Sequence, residues 1–157
     1  LPGLVQGAQP LLSYNLGAKN LSRVKKTFRL LLLCCISGSF LIWLACMSAP
    51  ETVASVFTDD PVLIRYTGRT MRIYLAMLFI YGIQVACQYS FVALDQAGKA
   101  IFLTIWRKII LLIPLIFILP LIFSNPVMGV YLAEPIADTI AVCTTAPMFY
   151  FYYRKLR

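Results

Sequence analysis

Arg29 and Glu51 bracket Leu30–Pro50, twenty-one residues without a charged side chain, and Arg72 and Asp95 bracket twenty-two more, Ile73–Leu94. At about 1.5 Å of rise per residue, each run has the length of a helix that crosses roughly 30 Å of hydrocarbon. A third uncharged run, Ile109–Ala133, is interrupted by Pro114, Pro120 and Asn125-Pro126. It reads as a helix from about Ala100 to Phe123, then a tight turn at Ser124–Gly129. A fourth span runs from Val127 to about Tyr153 and closes on Phe149-Tyr150-Phe151-Tyr152-Tyr153, a run suited to a membrane interface. The apolar opening segment, Leu1–Ser13, is too short to cross and reads as the end of a further helix. Composition points the same way: 61% of the 157 residues are hydrophobic and 13% charged, against about 45–50% and 25% in soluble domains. A chain of this size has too small an interior to hide that much apolar surface from water. The expected fold is all-α, a polytopic transmembrane helical bundle of about four full spans plus the end of a fifth, at approximately 1–13 (partial), 29–50, 71–95, 100–123 and 127–153.

Charge orients the bundle. Lys19, Arg23, Lys25, Lys26 and Arg29 precede the first full span, Lys99, Arg107 and Lys108 follow the second, and Arg154, Lys155 and Arg157 end the chain. These are eleven of the fourteen basic residues. The opposite end has Arg65, Arg69 and Arg72 beside Glu51, Asp59 and Asp60. The positive-inside bias therefore places the first loop and the C-terminus in the cytoplasm, with the spans in a cell (inner or plasma) membrane. In the outer loop, Thr58-Asp59-Asp60-Pro61 is a helix-start signal, an acidic cap followed by proline at the first helical position. The three arginines after it share one helix face and are expected to be solvated and paired with Asp59 and Asp60. Asp95 and Lys99, four apart, are expected to pair on a helix surface, with a gating contact as the sharper alternative.

Several classes of function find no support. The cations are spread between apolar runs and form no stripe for nucleic acid. Five cysteines, all inside apolar stretches and without CxxC spacing, suit small apolar filler in helices better than a disulfide framework or metal cluster. There is no histidine, no phosphate-cradling glycine loop, no nucleophile elbow and no HExxH motif. An enzyme is not expected, nor a cofactor, nor a metal site beyond a candidate sodium position near Asp138. The opening Leu1-Pro2-Gly3 lacks a methionine and a basic n-region, so a cleavable signal is not expected and a preceding part of the protein is.

The residues best placed to carry chemistry are Glu134 and Asp138. They stand i, i+4 on one helix face inside an otherwise apolar segment. A carboxylate in such a helix costs at least about 2.5–3.5 kcal/mol to insert, so both are expected to face protein or water. Their proximity and desolvation make the pair a candidate holder of a proton or cation, and Pro135 frees a backbone carbonyl one turn back. The plainer reading is a structural ion pair with Arg107, whose long side chain enters from the preceding helix. Gln84 and Gln88 form a second i, i+4 pair in mid-span. Interhelical hydrogen bonding is their default, a polar pathway the alternative. Gly3 and Gly7 fit the small-xxx-small packing pattern.

Taken in order, several segments resemble the C-terminal part of the multidrug and toxic compound extrusion (MATE) transporters, in the MepA-like and DinF/NorM-like branch. Gly7-Ala8-Gln9-Pro10-Leu11-Leu12-Ser13-Tyr14-Asn15-Leu16-Gly17-Ala18-Lys19-Asn20, continuing through Arg23-Val24-Lys25, looks like the end of the family's eighth helix and the following loop. Phe57-Thr58-Asp59-Asp60-Pro61 resembles the outer loop before the tenth helix, and Gln96-Ala97-Gly98-Lys99-Ala100, Arg107 and Leu111-Leu112-Ile113-Pro114 resemble the tenth-to-eleventh loop and eleventh helix. Ala133-Glu134-Pro135-Ile136-Ala137-Asp138 looks like the twelfth. Asp95 departs from the commoner Ala-Leu-Gly-Lys wording of its loop. The resemblance implies the C-terminal lobe of a two-lobed transporter, a fragment whose N-terminal lobe is absent here. It implies efflux of small amphipathic or cationic drug-like substrates in antiport with H+ or Na+. Glu134, Asp138, Gln84 and Gln88 are then this lobe's candidates for substrate or ion coupling, with Arg107, Asp95, Lys99, Gln9, Pro10, Asn15 and Gly17 in structural or gating roles. A related lipid-linked oligosaccharide flippase shares the two-lobed architecture, and a non-transporting membrane scaffold is the alternative outside transport.

Overall fold

The computed structural model describes residues 1–156, and every regular element among them is helical. Arg157, counted above with the basic tail, lies outside the described residues. The elements are α1 (Pro2–Gly17), α2 (Leu21–Ser48), α3 (Pro50–Ser55), α4 (Pro61–Tyr74), α5 (Leu78–Ala93), α6 (Ala97–Ile105), a π-helical segment (Trp106–Leu112), α7 (Ile113–Ile122) and α8 (Pro126–Lys155). Among the described residues, three helices are long and apolar enough to cross a membrane: α2, the continuous run α6–π–α7 (Ala97–Ile122), and α8. A fourth crossing arises if α4 and α5, bent by 52° across residues 75–77, count as one.

Capping residues fix most of the boundaries. The Asn20 side chain accepts the Arg23 backbone N–H at 3.3 Å and starts α2. Asp60 Oδ1 accepts from the Val62 N–H at 2.8 Å, with Pro61 at the first helical position, so the acidic start signal works as its chemistry requires. Asn125 Oδ1 likewise accepts from the Val127 N–H at 3.1 Å and starts α8. Only Phe123, Ser124 and Asn125 separate α7 from α8, a shorter turn than Ser124–Gly129.

Three local expectations need correction. The 71–95 stretch is not one straight helix: α4 ends at Tyr74 and α5 starts at Leu78 on a new axis. The first basic cluster is mostly helical too, because α2 begins at Leu21 and carries Arg23, Lys25, Lys26 and Arg29 on its opening turns. Gly3 and Gly7 have open space where a Cβ would stand, so they do not bring helices together here. Gly82 does: a Cβ there would overlap the Cys35 carbonyl and the Ser39 hydroxyl of α2.

That close approach makes α5 the centre of the bundle, packed against α1, α2, α6 and α8. Val5, Leu12, Phe28, Cys35, Phe91, Leu94, Leu103 and Phe149 are buried around it. Away from this core, Leu33, Leu41, Phe117 and Leu121 remain exposed, with Leu121 86% exposed. Exposed apolar side chains of this density belong against acyl chains.

Candidate functional site

The π-helical segment sets the position of the central cation. Pro114 has no N–H to donate, and its ring crowds the carbonyl four residues back in an α-helix. The helix widens over Trp106–Leu112, immediately before that proline, in the manner of π-bulges found at functional sites. Arg107 stands at the start of the widened turn, about 15 Å along the span from Ala97 at 1.5 Å per residue, and its side chain is 10% exposed.

Both acidic residues of α8 turn toward it. Asp138 Oδ1 accepts a hydrogen bond from Arg107 Nε at 2.5 Å, and Glu134 Oε1 accepts one from Arg107 Nη2 at 2.8 Å. Asp138 lies about 18 Å and Glu134 about 12 Å from the start of α8, by the same helical rise, so the charges sit well inside the span. Both are largely enclosed by protein: their side chains are 10% and 17% exposed. Among the described residues, these are the ion pairs within 4 Å.

The cluster is not sealed. Glu134, Asp138 and Arg107 border a cavity of about 240 Å³ whose other walls include Tyr74, Leu75, Leu78, Tyr81 and Lys108. The guanidinium carbon lies 5.0 Å from the centre of the Tyr81 ring, an aromatic face that favours the cation. Lys108 borders the cavity but stays beyond ion-pair distance of either carboxylate. The arrangement places two carboxylates, one shared cation and accessible volume inside a membrane span.

The MatE family profile matches residues 1–118, three quarters of the chain. The chain belongs to the MatE family. Among solved structures, it is similar to the MATE multidrug transporter DinF-BH, solved in complex with a ligand, at 35% identity and a TM-score of 0.86, covering 94% of this chain and 33% of that one. It also shares its fold with an inward-facing multidrug resistance MATE transporter of the MOP superfamily, at 14% identity and a TM-score of 0.85, covering 97% and 35%. No curated protein sequence matches. The chain thus spans about a third of the length of the solved transporters it resembles.

In this MATE chain the remaining sequence-selected residues fall elsewhere. Gln84 and Gln88 do not line the cavity. Gln84 Nε2 donates to Gln88 Oε1 at 3.4 Å, and Gln88 Nε2 donates to Thr104 Oγ1 of α6 at 2.7 Å, the interhelical bond that polar mid-span residues favour. Asp95 and Lys99 do not pair. Asp95 sits in the turn before α6 with φ +59°, while the Lys99 ammonium lies 4.6 Å from the centre of the Tyr152 ring. Four-residue spacing brings side chains together only within a continuous helix, and the turn removes that condition. Arg65, Arg69 and Arg72 likewise form no ion pair with Asp59 or Asp60 among the described residues, because Asp60 is occupied as a cap.

In α1, Gln9 and Pro10 are within the helix, Asn15 donates to the Leu11 carbonyl at 2.7 Å, and Gly17 closes it. None of these four approaches the carboxylates. Tyr74 escaped the sequence reading, and Lys108 was read there only as one of the charges that orient the bundle. Pro114 offered a signal for the widened turn, whereas nothing local to Tyr74 showed which way the bent α4–α5 pair would face it.

Proposed function

We propose that this chain forms the C-terminal lobe of a secondary active multidrug antiporter in the cell membrane, with a cytoplasmic C-terminus. Small amphipathic or cationic compounds would leave as H+ or Na+ enters, and an N-terminal lobe would close the central cavity in alternating access. The ligand bound to the multidrug transporter DinF-BH supports a small-molecule cargo. The coupling ion is the only accessory species this reading needs.

The observation that carries it is the convergence of Glu134 and Asp138 on one guanidinium beside an open cavity. With all three ionised, the ion-paired group carries one negative charge in excess, which low-dielectric surroundings penalise. A proton on either carboxylate, or a sodium ion beside Asp138, removes that excess. Neutralising a carboxylate weakens its hold on Arg107, and Arg107 is what ties the widened turn to α8. Ion occupancy is thereby linked to the packing of two spans.

A structural ion pair is the second reading, favoured by the direct contact of Arg107 with both acids. Glu134→Gln and Asp138→Asn in the transporter separate the two when gradient-driven dye efflux and membrane abundance are measured together. Lost efflux at unchanged abundance supports coupling. Unchanged efflux removes the assignment, and reduced abundance with normal efflux per molecule favours the structural pair.

A further inference from the structure

Between α2, α5 and α8, away from the carboxylates, lies an apolar groove of about 580 Å³ walled by Leu32, Ile83, Cys87 and Ala146 among others. Its mouth, at the end of the bundle rich in basic residues, has a different character. Arg29 lines it directly. Lys25 places its ammonium 5.6 Å from the centre of the Tyr153 ring, and the Arg154 guanidinium lies 5.8 Å from the centre of the Tyr150 ring, both rings being part of the wall. Three basic side chains therefore lie in or beside this wall, and none has a carboxylate within 4 Å among the described residues.

We propose that this groove is a site for an anionic phospholipid, with the phosphate at Arg29, Lys25 and Arg154 and one acyl chain along the apolar wall. Each half of the groove demands one half of that molecule. Apolar walls open to a membrane exclude water and accept hydrocarbon. Clustered cations at the interface favour a phosphate, and guanidinium groups hold its oxygens in a directed way. A cationic drug is the wrong occupant, because it would meet three like charges at the entrance. The site is separate from the Glu134–Asp138 cavity and stands whether or not that cavity couples ions.

The test uses the whole transporter in nanodiscs of equal phosphatidylglycerol and phosphatidylcholine, with lipids retained after mild detergent extraction measured by native mass spectrometry. Retention of phosphatidylglycerol at least fivefold above phosphatidylcholine is expected. Arg29→Gln, at an exposed position, and the groove-filling Ala146→Phe should each reduce that ratio to near one, at unchanged thermal stability. Should Ala146→Phe prove unstable, competition from a brominated-chain phosphatidylglycerol quenching the mouth tyrosines supplies the same information. Equal retention of both lipids would overturn the proposal, as would a groove already covered by the rest of the transporter and retaining no lipid. Loss of retention on adding millimolar inorganic phosphate, or retention that survives Ala146→Phe, would show a headgroup-only anion site and equally overturn it.

Discussion

Arg107 Nε and Asp138 Oδ1 meet at 2.5 Å across thirty-one residues of sequence, joining the widened turn of one span to the interior of the next. The contact satisfies two groups that lipid would not accept singly. Removing either partner leaves the other charge with less compensation, so the two sides of the pair need not respond equally to substitution.

Arg107→Ala is the more damaging change, because it leaves two carboxylates facing each other in a span. Breaking a buried pair in this way costs about 3–5 kcal/mol. Asp138→Asn should cost less, since Glu134 remains to pair with Arg107. Melting temperatures in detergent, read by fluorescence-detected size-exclusion chromatography, should rank wild type above Asp138→Asn above Arg107→Ala. Equal melting temperatures would show that the triad contributes nothing to folding.

Pro114→Ala restores an N–H donor and removes the ring that crowds the preceding turn. The Trp106–Leu112 segment should then tighten to an α-helix and carry Arg107 around the axis, away from Asp138. Slower amide exchange across 106–114, with gradient-driven efflux reduced at normal abundance, is the expected pair of results. A π-helix that persists in the variant would assign the widening to some cause other than proline.

Gly82→Ala should separate α2 from α5, because the added methyl overlaps the Cys35 backbone carbonyl, which no side-chain rotation relieves, as well as the Ser39 hydroxyl. Overpacking of this kind costs about 1–3 kcal/mol. Gly3→Ala and Gly7→Ala have space and serve as controls. A drop in melting temperature for Gly82→Ala alone is the expected pattern.

Gln88→Leu removes the 2.7 Å bond to Thr104 between α5 and α6. Interhelical hydrogen bonds in membranes average about 0.6 kcal/mol, so the loss of stability should be small. The cost should vanish in a Thr104→Val background, which a double-mutant cycle measures directly.

Long uncharged runs were enough to read an all-helical membrane chain, because backbone groups in hydrocarbon must be satisfied within the segment. Cap chemistry at Asp60 and the ordered motifs from Gly7 to Asp138 were equally legible. Helical spacing also showed that Glu134 and Asp138 share a face and that Arg107 had the reach to meet them. The pairing of Asp95 with Lys99 failed for a reason invisible to spacing, a turn that ended one helix between them.

The linear order of residues thus determined the class of fold and the burden of two acids inside a span. Tertiary structure alone decided how that burden is met: the bend at residues 75–77 brings Tyr74 and Tyr81 to the cavity, and the widened turn aims Arg107 at α8. Periodicity reports which side of a helix a residue occupies. Where that side points depends on the crossing of helices far apart in the chain, and here contacts such as Gly82 against Cys35 set it.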